Sequence, residues 1–410
     1  MKRNHPVIVG VSDVSVGYGS PQLPALMRSL LTVYPGSIGY LLEPDQSERM
    51  PYPDLFPEFQ LLRLSTHFHP FSMAGIIEYN LQVIREVNRL CPQILVLSSP
   101  LVVPVLWKLR FRPRATIYYM LELLTYYAQT SRHFGPFVRE LTRSVASQID
   151  LVIFPEENRA VADVVSGGLN NVPMAIVYNA VNPPQSAERI LPATHRFRRL
   201  LYSGTIQRGL TFAEYFLHTA IRPLPIDLYG LIEGPDKQEL LSALLTISGN
   251  VHYRGYVNAA ELGSLRKRYI FSLVMWAPTN DNQLYACPNK FFEAIADGVP
   301  PITTPHPQSK LLIKRYQCGI LTRDWSFESF YAAVQRALSL FGTERYEEMV
   351  ENCRRAVKAE LNWKLNLPKL DDCCRKGCND VGSHSCHRCY RFSRDATSCR
   401  FYAAVTAQNM

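Results

Sequence analysis

A lysine and a glutamate three residues apart, Lys290 and Glu293, lie within the run Tyr285-Ala-Cys-Pro-Asn-Lys-Phe-Phe-Glu-Ala-Ile-Ala-Asp-Gly-Val-Pro300. On a helix that spacing places both side chains on one face. The run carries the signals of a short helix. Pro288, with fixed φ and no N–H, suits a first turn, and Gly298 followed by Pro300 is a stop. Phe291, Phe292 and Ile295 supply an apolar side to bury. The free N–H groups of the first turn favour an anion, and Lys290 adds a full positive charge. Glu293, one turn further in, can accept hydrogen bonds from a pair of vicinal hydroxyls. A phosphate beside a ribose fits this arrangement. Taken alone, such a pair is also common on a solvated helix face.

Two glycine loops could serve the same ligand. Gly17-Tyr-Gly-Ser-Pro-Gln22 follows a strand candidate and precedes a helix, so its backbone at Gly17 and Gly19 can approach a phosphate. It lacks the third glycine and the acidic residue of the dinucleotide fingerprint. Ser203-Gly-Thr-Ile-Gln-Arg-Gly209 repeats the design, with Gly204 at the bend and Arg208 as its only cation. A plain turn is the alternative for both. Thr66-His-Phe-His-Pro70 has two histidines but no acidic neighbours, too little for a metal site.

The elements needed to position these groups alternate along the chain. In the first half, strands are expected at Val7–Val11, Gly36–Leu42, Gln60–Leu64, Ile94–Leu97, Thr116–Met120, Leu151–Phe154 and Ala175–Tyr178. Helical stretches separate them, at Leu23–Leu31, Ile76–Leu90, Phe137–Ser147 and Arg159–Val165. Asn182-Pro-Pro-Gln-Ser continues neither element and reads as a linker. The alternation then restarts with strands at Leu200–Tyr202, Ile226–Tyr229, Val251–Tyr253, Phe271–Met275 and Pro301–Thr303. Helices are expected at Phe212–Ala220, Asp236–Ile247, Ala259–Tyr269, Asn289–Ala296 and Phe327–Leu340. This pattern predicts an α/β chain of two Rossmann-like, doubly wound domains, with ligands outside the C-terminal ends of the strands. The boundaries read as 1–182, a linker at 183–195, 196–360, and a tail at 361–410.

Composition agrees with a folded chain of that kind. The 410 residues are 47% hydrophobic and 19% charged, with a formal net charge of +9. No run approaches the roughly 20 apolar residues of a membrane-spanning helix. The apolar stretch near the N-terminus, Val7 to Val11, is too short for a signal peptide, so a cytoplasmic location is expected. The charge suits phosphorylated ligands or an anionic membrane surface and does not by itself indicate nucleic acid. Trp107-Lys-Leu-Arg-Phe-Arg-Pro-Arg114 interleaves cations with aromatics, which fits a membrane face or an unpartnered snorkelling helix end. The last fifty residues change character, holding six of the ten cysteines. Cys374, Cys378, Cys386 and Cys389 are zinc-type ligands, but only seven residues separate the two pairs, fewer than zinc modules use. The tail reads as a zinc clip, a disordered basic extension or an aberrant end.

The run from Tyr285 to Pro300 resembles the nucleotide-sugar motif of retaining glycosyltransferases of the GT-B fold, the family-4 kind, often Tyr-x-x-Pro-Asn-Lys-Leu-Phe-Glu-Tyr-x-Ala-x-Gly-x-Pro. The likeness covers roughly residues 7–365 and is strong only in the second half. It implies a sugar transfer from a nucleotide-diphosphate donor to a hydroxyl acceptor, glycan or lipid-linked, with retention and without a metal or other cofactor. Glu293 would bind the ribose. Lys290, Arg208 and the helix start at Pro288 and Asn289 would neutralise the leaving diphosphate, with Gly17, Gly19 and Gly204 beside it. The segment after Gly255, with Tyr256, would pack on the base. Glu122, at the C-terminal edge of a strand, would bind acceptor hydroxyls or steady developing positive charge. A solvated loop carboxylate is the alternative there, as for Glu156. Relatives often carry a second glutamate where this chain has Tyr285, so no contact to the transferred sugar carries over. The same fold also admits an epimerase, a hydrolase or a non-catalytic partner subunit. Leu361-Asn-Trp363 resembles the family's terminal helix, which returns to the first domain.

Overall fold

The computed structural model describes residues 5–16, 22–45, 57–70, 72–124, 135–167, 169, 171–180 and 191–363. Two compact units result, divided after Val177.

Unit 1 is a seven-stranded parallel sheet in the order β3-β2-β1-β4-β5-β6-β7. The strands are β1 (Val7–Val11), β2 (Ile38–Pro44), β3 (Gln60–Leu64), β4 (Ile94–Leu97), β5 (Ala115–Tyr119), β6 (Leu151–Phe154) and β7 (Met174–Ile176). Its α-helices are α1 (Gln22–Val33), α2 (Met73–Leu90), α3 (Gly135–Val145) and α4 (Glu157–Gly167). β1, β4, β5 and β6 are buried along their whole length, because helices cover both faces of a parallel sheet. Gly10 lets α1 lie directly on β1: a Cβ there would come within 2.9 Å of the Met27 sulfur.

Unit 2 repeats the plan with six parallel strands in the order β10-β9-β8-β11-β12-β13. These are β8 (Phe197–Ser203), β9 (Ile226–Tyr229), β10 (Val251–Tyr253), β11 (Tyr269–Val274), β12 (Pro301–Thr303) and β13 (Ile320–Leu321). The helices are α5 (Lys237–Thr246), α6 (Ala259–Arg266), α7 (Asp281–Leu284), α8 (Asn289–Ala296), α9 (Pro307–Tyr316), α10 (Phe327–Leu340) and α11 (Glu344–Ala359). Consecutive strands run outward from β8 to β10, and the chain then crosses back to place β11 on the other side of β8. That reversal makes the β8/β11 junction the topological switch point of unit 2.

The alternation expected from the sequence therefore holds, with three local corrections. Phe212–Ala220 is only a 3₁₀ turn, Ala213–Leu217, because Phe212 adopts φ 55° and no side chain caps the turn. The aromatics there are fixed by packing of Phe216 on Tyr202 and of Tyr215 on Phe330. The helix expected over Ala259–Tyr269 ends at Arg266, and Tyr269 opens β11. The strand β13 and the helices α7, α9 and α11 went unread. Pro305 and Pro307 look like breakers, yet Pro307 starts α9, where its missing N–H costs nothing.

Candidate functional site

The helix α8 forms as its residues dictate. Phe291, Phe292 and Ile295 are buried, and Pro288 stands at the cap just before the first turn (φ −58°, ψ 142°). The stop is a left-handed Gly298 with φ 66°. Its N–H donates to the Ile295 carbonyl at 3.0 Å, and that of Val299 donates to Ala294 at 2.9 Å. This is the paired closure that a C-terminal glycine allows.

Three glycines line the C-terminal ends of the neighbouring strands. The Gly204 N–H donates to Tyr229 O at 2.8 Å, and the Gly230 N–H donates to Gly255 O at 2.9 Å. All three have φ in the left-handed region, at 125°, 146° and 83° for Gly204, Gly230 and Gly255. A Cβ on Gly230 would lie 1.7 Å from the Gly204 oxygen, so the first two turns stack backbone on backbone. A Cβ on Gly204 would lie 1.9 Å from Lys290 Cε and 2.2 Å from its Nζ. The ammonium of α8 is thus laid over the bare turn that follows β8, at the switch point. Burial holds the Lys290 pKa below the ordinary lysine value; Glu293 works against that shift and Arg266 adds to it.

Glu293 does not face Lys290 alone. Arg266, the last residue of α6 and only 4% exposed, places Nη2 2.6 Å from Glu293 Oε2 and Nη1 2.7 Å from Asp297 Oδ2. One oxygen of Glu293 is thereby committed and its carboxylate is oriented. Asp297 has its pKa raised by burial, with Arg266 pulling it back. Arg266 escaped the sequence reading because it lies 27 residues before Glu293 and its type, at a helix end, signals nothing by itself.

The loop leading into α8 is braced by a second unread residue. His306, fully buried, has Nδ1 2.9 Å from Leu284 O and Nε2 2.9 Å from Trp276 O. A neutral imidazole donates through one nitrogen only, and burial keeps the His306 pKa low against the pull of these carbonyls. Tyr285, in the place of the family's second glutamate, is the residue that closes α7.

The other candidates are placed as follows. Arg208 pairs with Asp236 at 2.7 Å and with Glu239 at 3.1 Å, on the first turn of α5. Tyr256 is exposed directly after Gly255. Asn289 is the first residue of α8, beside Lys290. In unit 1, Glu122 is half exposed, with an Arg159 nitrogen 3.5 Å away. Glu156 is buried beside the same arginine at 3.4 Å, and its charge, after burial itself, pushes the Tyr119 pKa up. The structure therefore gathers Gly204, Lys290 and Glu293, with Pro288 and Asn289 on the same helix. Gly17, Gly19, Cys374, Cys378, Cys386 and Cys389 lie outside the described residues, as does the chain after Trp363. Among the described residues no cluster of three or more His, Cys, Asp or Glu could hold a metal ion. His67 instead pairs with Glu78 at 2.5 Å. No helix among them is long and apolar enough to cross a membrane.

No protein-family model matches the chain, and no curated protein does. Solved structures do. The chain is similar to the sucrose-phosphate synthase of Thermosynechococcus elongatus, with a TM-score of 0.68 at 15% identity over 91% of this chain and 99% of that one. It is similar to HepE of Anabaena in complex with UDP and glucose, with a TM-score of 0.67 at 13% identity over 91% and 100% of the two chains. The lipopolysaccharide outer core galactosyltransferase WaaB, in its apo form, matches with a TM-score of 0.60 at 14% identity over 90% and 99%. The fold is the α/β GT-B plan.

Proposed function

We propose that the chain is a GT-B glycosyltransferase that moves a sugar from a nucleotide-diphosphate donor to a hydroxyl acceptor, a glycan or lipid-linked precursor, with retention of configuration and without a metal. One observation carries the reading: Lys290 lies over the left-handed Gly204 turn at the switch point of unit 2. A diphosphate there would meet an ammonium, the positive end of the α8 dipole and a backbone with no side chain in the way. UDP and glucose bound in HepE support a nucleotide-sugar ligand for this architecture.

In this reading Glu293 offers its uncommitted oxygen to the ribose hydroxyls, while Arg266 holds the other. As the glycosidic bond to the diphosphate breaks, negative charge grows on the leaving phosphate. Lys290 stabilises that charge more than it stabilises the ground state. Arg208 joins by exchanging Asp236 and Glu239 for phosphate. The leaving phosphate takes the acceptor's proton on the face it departs from, so no protein nucleophile is required. Tyr256 packs on the base, and Glu122 serves the acceptor side. The protein works at the cytoplasmic side, in peripheral contact with a membrane face.

Titration calorimetry against a panel of UDP-, GDP- and ADP-sugars tests the donor, with NMR of the product anomer testing retention. Binding of one donor, weakened by Glu293→Ala and by Lys290→Ala, is the expected result. Affinity undiminished in both variants would overturn the proposal.

A further inference from the structure

The helix α2 of unit 1 carries a face that the packing does not explain. Its inward positions, Tyr79, Val83, Val87 and Leu90, are buried as an amphipathic helix requires. Its outward row should then be polar. Instead Met73, Ile77 and Leu81, spaced four apart, are 44%, 52% and 60% exposed. Phe68, just before the helix, is 56% exposed. Gly75 permits this approach, since a Cβ there would lie 2.1 Å from the His69 carbonyl oxygen.

The row does not end in apolar residues. Its next positions are Arg85 and, three further, Asn88. The Asn88 side chain accepts from the Arg110 N–H at 2.8 Å and donates to the Lys108 carbonyl at 3.3 Å. It thereby pins the basic segment after Trp107 to the last turns of α2. Arg85, Lys108 and Arg110 are exposed and make no ion pair among the described residues. The acids of the same helix are already committed, Glu78 to His67 and Glu86 to Arg89. Trp107 is 50% exposed at this corner. One helix face thus runs over about 22 Å from an apolar strip into an uncompensated basic corner flanked by an indole.

We propose that this face, Met73, Ile77 and Leu81 with Arg85, Lys108 and Arg110, docks on an anionic lipid surface. The apolar row would enter the boundary between headgroups and acyl chains, the cations would meet lipid phosphates, and Trp107 would sit at the headgroup level. Charge decides the occupant: a protein partner or second copy of this basic chain would have to bring its own acidic patch, whereas an anionic bilayer supplies one. The inference deepens the peripheral contact proposed above by naming its surface. Vesicle binding needs no donor, so failure of either reading leaves the other standing.

The test is co-sedimentation of the full chain with vesicles of phosphatidylcholine, with and without phosphatidylglycerol, across a salt series. Ile77→Ser/Leu81→Ser and Arg85→Glu/Arg110→Glu change exposed positions, and thermal melting checks that each double variant stays folded. Binding to the anionic vesicles only, weakened by salt and lowered roughly tenfold or more by each variant, is expected. Equal sedimentation of the variants, or no binding to anionic vesicles, overturns the proposal. So does conversion of a dimer to a monomer by Ile77→Ser/Leu81→Ser in light scattering, which would make the face a contact between copies.

Discussion

Gly204→Ala should disable the site while leaving the fold largely intact, and the structure gives the size of each part. The new methyl would fall 1.9 Å from Lys290 Cε, a contact no real Cβ tolerates, so the lysine must leave the turn. Its side chain is flexible and can move. The remaining fold penalty is the strain of an alanine at φ 125°, roughly 1–3 kcal/mol, a melting shift of a few degrees per kcal/mol for a unit of this size. Gly230→Ala is the contrasting control. Its Cβ would meet the Gly204 backbone oxygen at 1.7 Å, which no rotamer change relieves, so it should destabilise much more. Displacing a charge aimed at the leaving group costs about 3 kcal/mol in the transition state, on the order of 100-fold in kcat/KM. Lys290→Ala should lose the same amount. The decisive assay is the double variant, measured for kcat/KM with the donor found in the calorimetric panel. If Gly204→Ala acts by evicting Lys290, the pair loses about as much as either single variant. Losses that multiply, to roughly 10⁴-fold, would instead mean that the glycine and the lysine act separately.

Two further outcomes follow from the charges around α8. Arg266→Met leaves Asp297 buried without its guanidinium, so its pKa, already raised by burial, rises further. The destabilisation should be about 3 kcal/mol at pH 8. It should fade below the ordinary carboxylate pKa, where Asp297 is protonated folded or unfolded, and grow as pH rises through the raised value; urea melts at several pH values would show it, and Asp297→Asn in the same chain should restore most of the loss. Because burial lowers the Lys290 pKa, donor affinity should decline on the alkaline side earlier than an ordinary lysine would cause. Lys290→Arg should shift that limb to higher pH, and a limb unmoved in pH-resolved calorimetry would assign it to another group.

The strand–helix alternation, the position of the Gly204 turn after β8, and the one-faced pairing on α8 were readable because each depends on short-range periodicity or on a backbone property of glycine and proline. What stayed hidden depends on distance in sequence. Arg266 acquires its role only when α6 packs beside α8, and His306 only when the loop after β11 folds over its ring. Arg208 looked like the loop's spare cation until α5 supplied Asp236 and Glu239. β13 spans only two residues, too few for any pattern, and its strand identity comes from pairing with β12. The helix α11 was legible in principle, since Tyr346, Met349, Val350, Cys353, Ala356 and Val357 are buried at helical spacing along a highly charged segment.

Arg196, immediately before β8, donates to the Gly298 carbonyl at 3.0 Å and to the Tyr346 hydroxyl at 3.1 Å. The far end of α8 is therefore bolted to both the first strand and the last helix of unit 2. From that clamp at Gly298 the helix reaches back about 12 Å to Lys290. A substitution at Arg196 would then be felt as misalignment at Lys290, eight residues before the clamped Gly298.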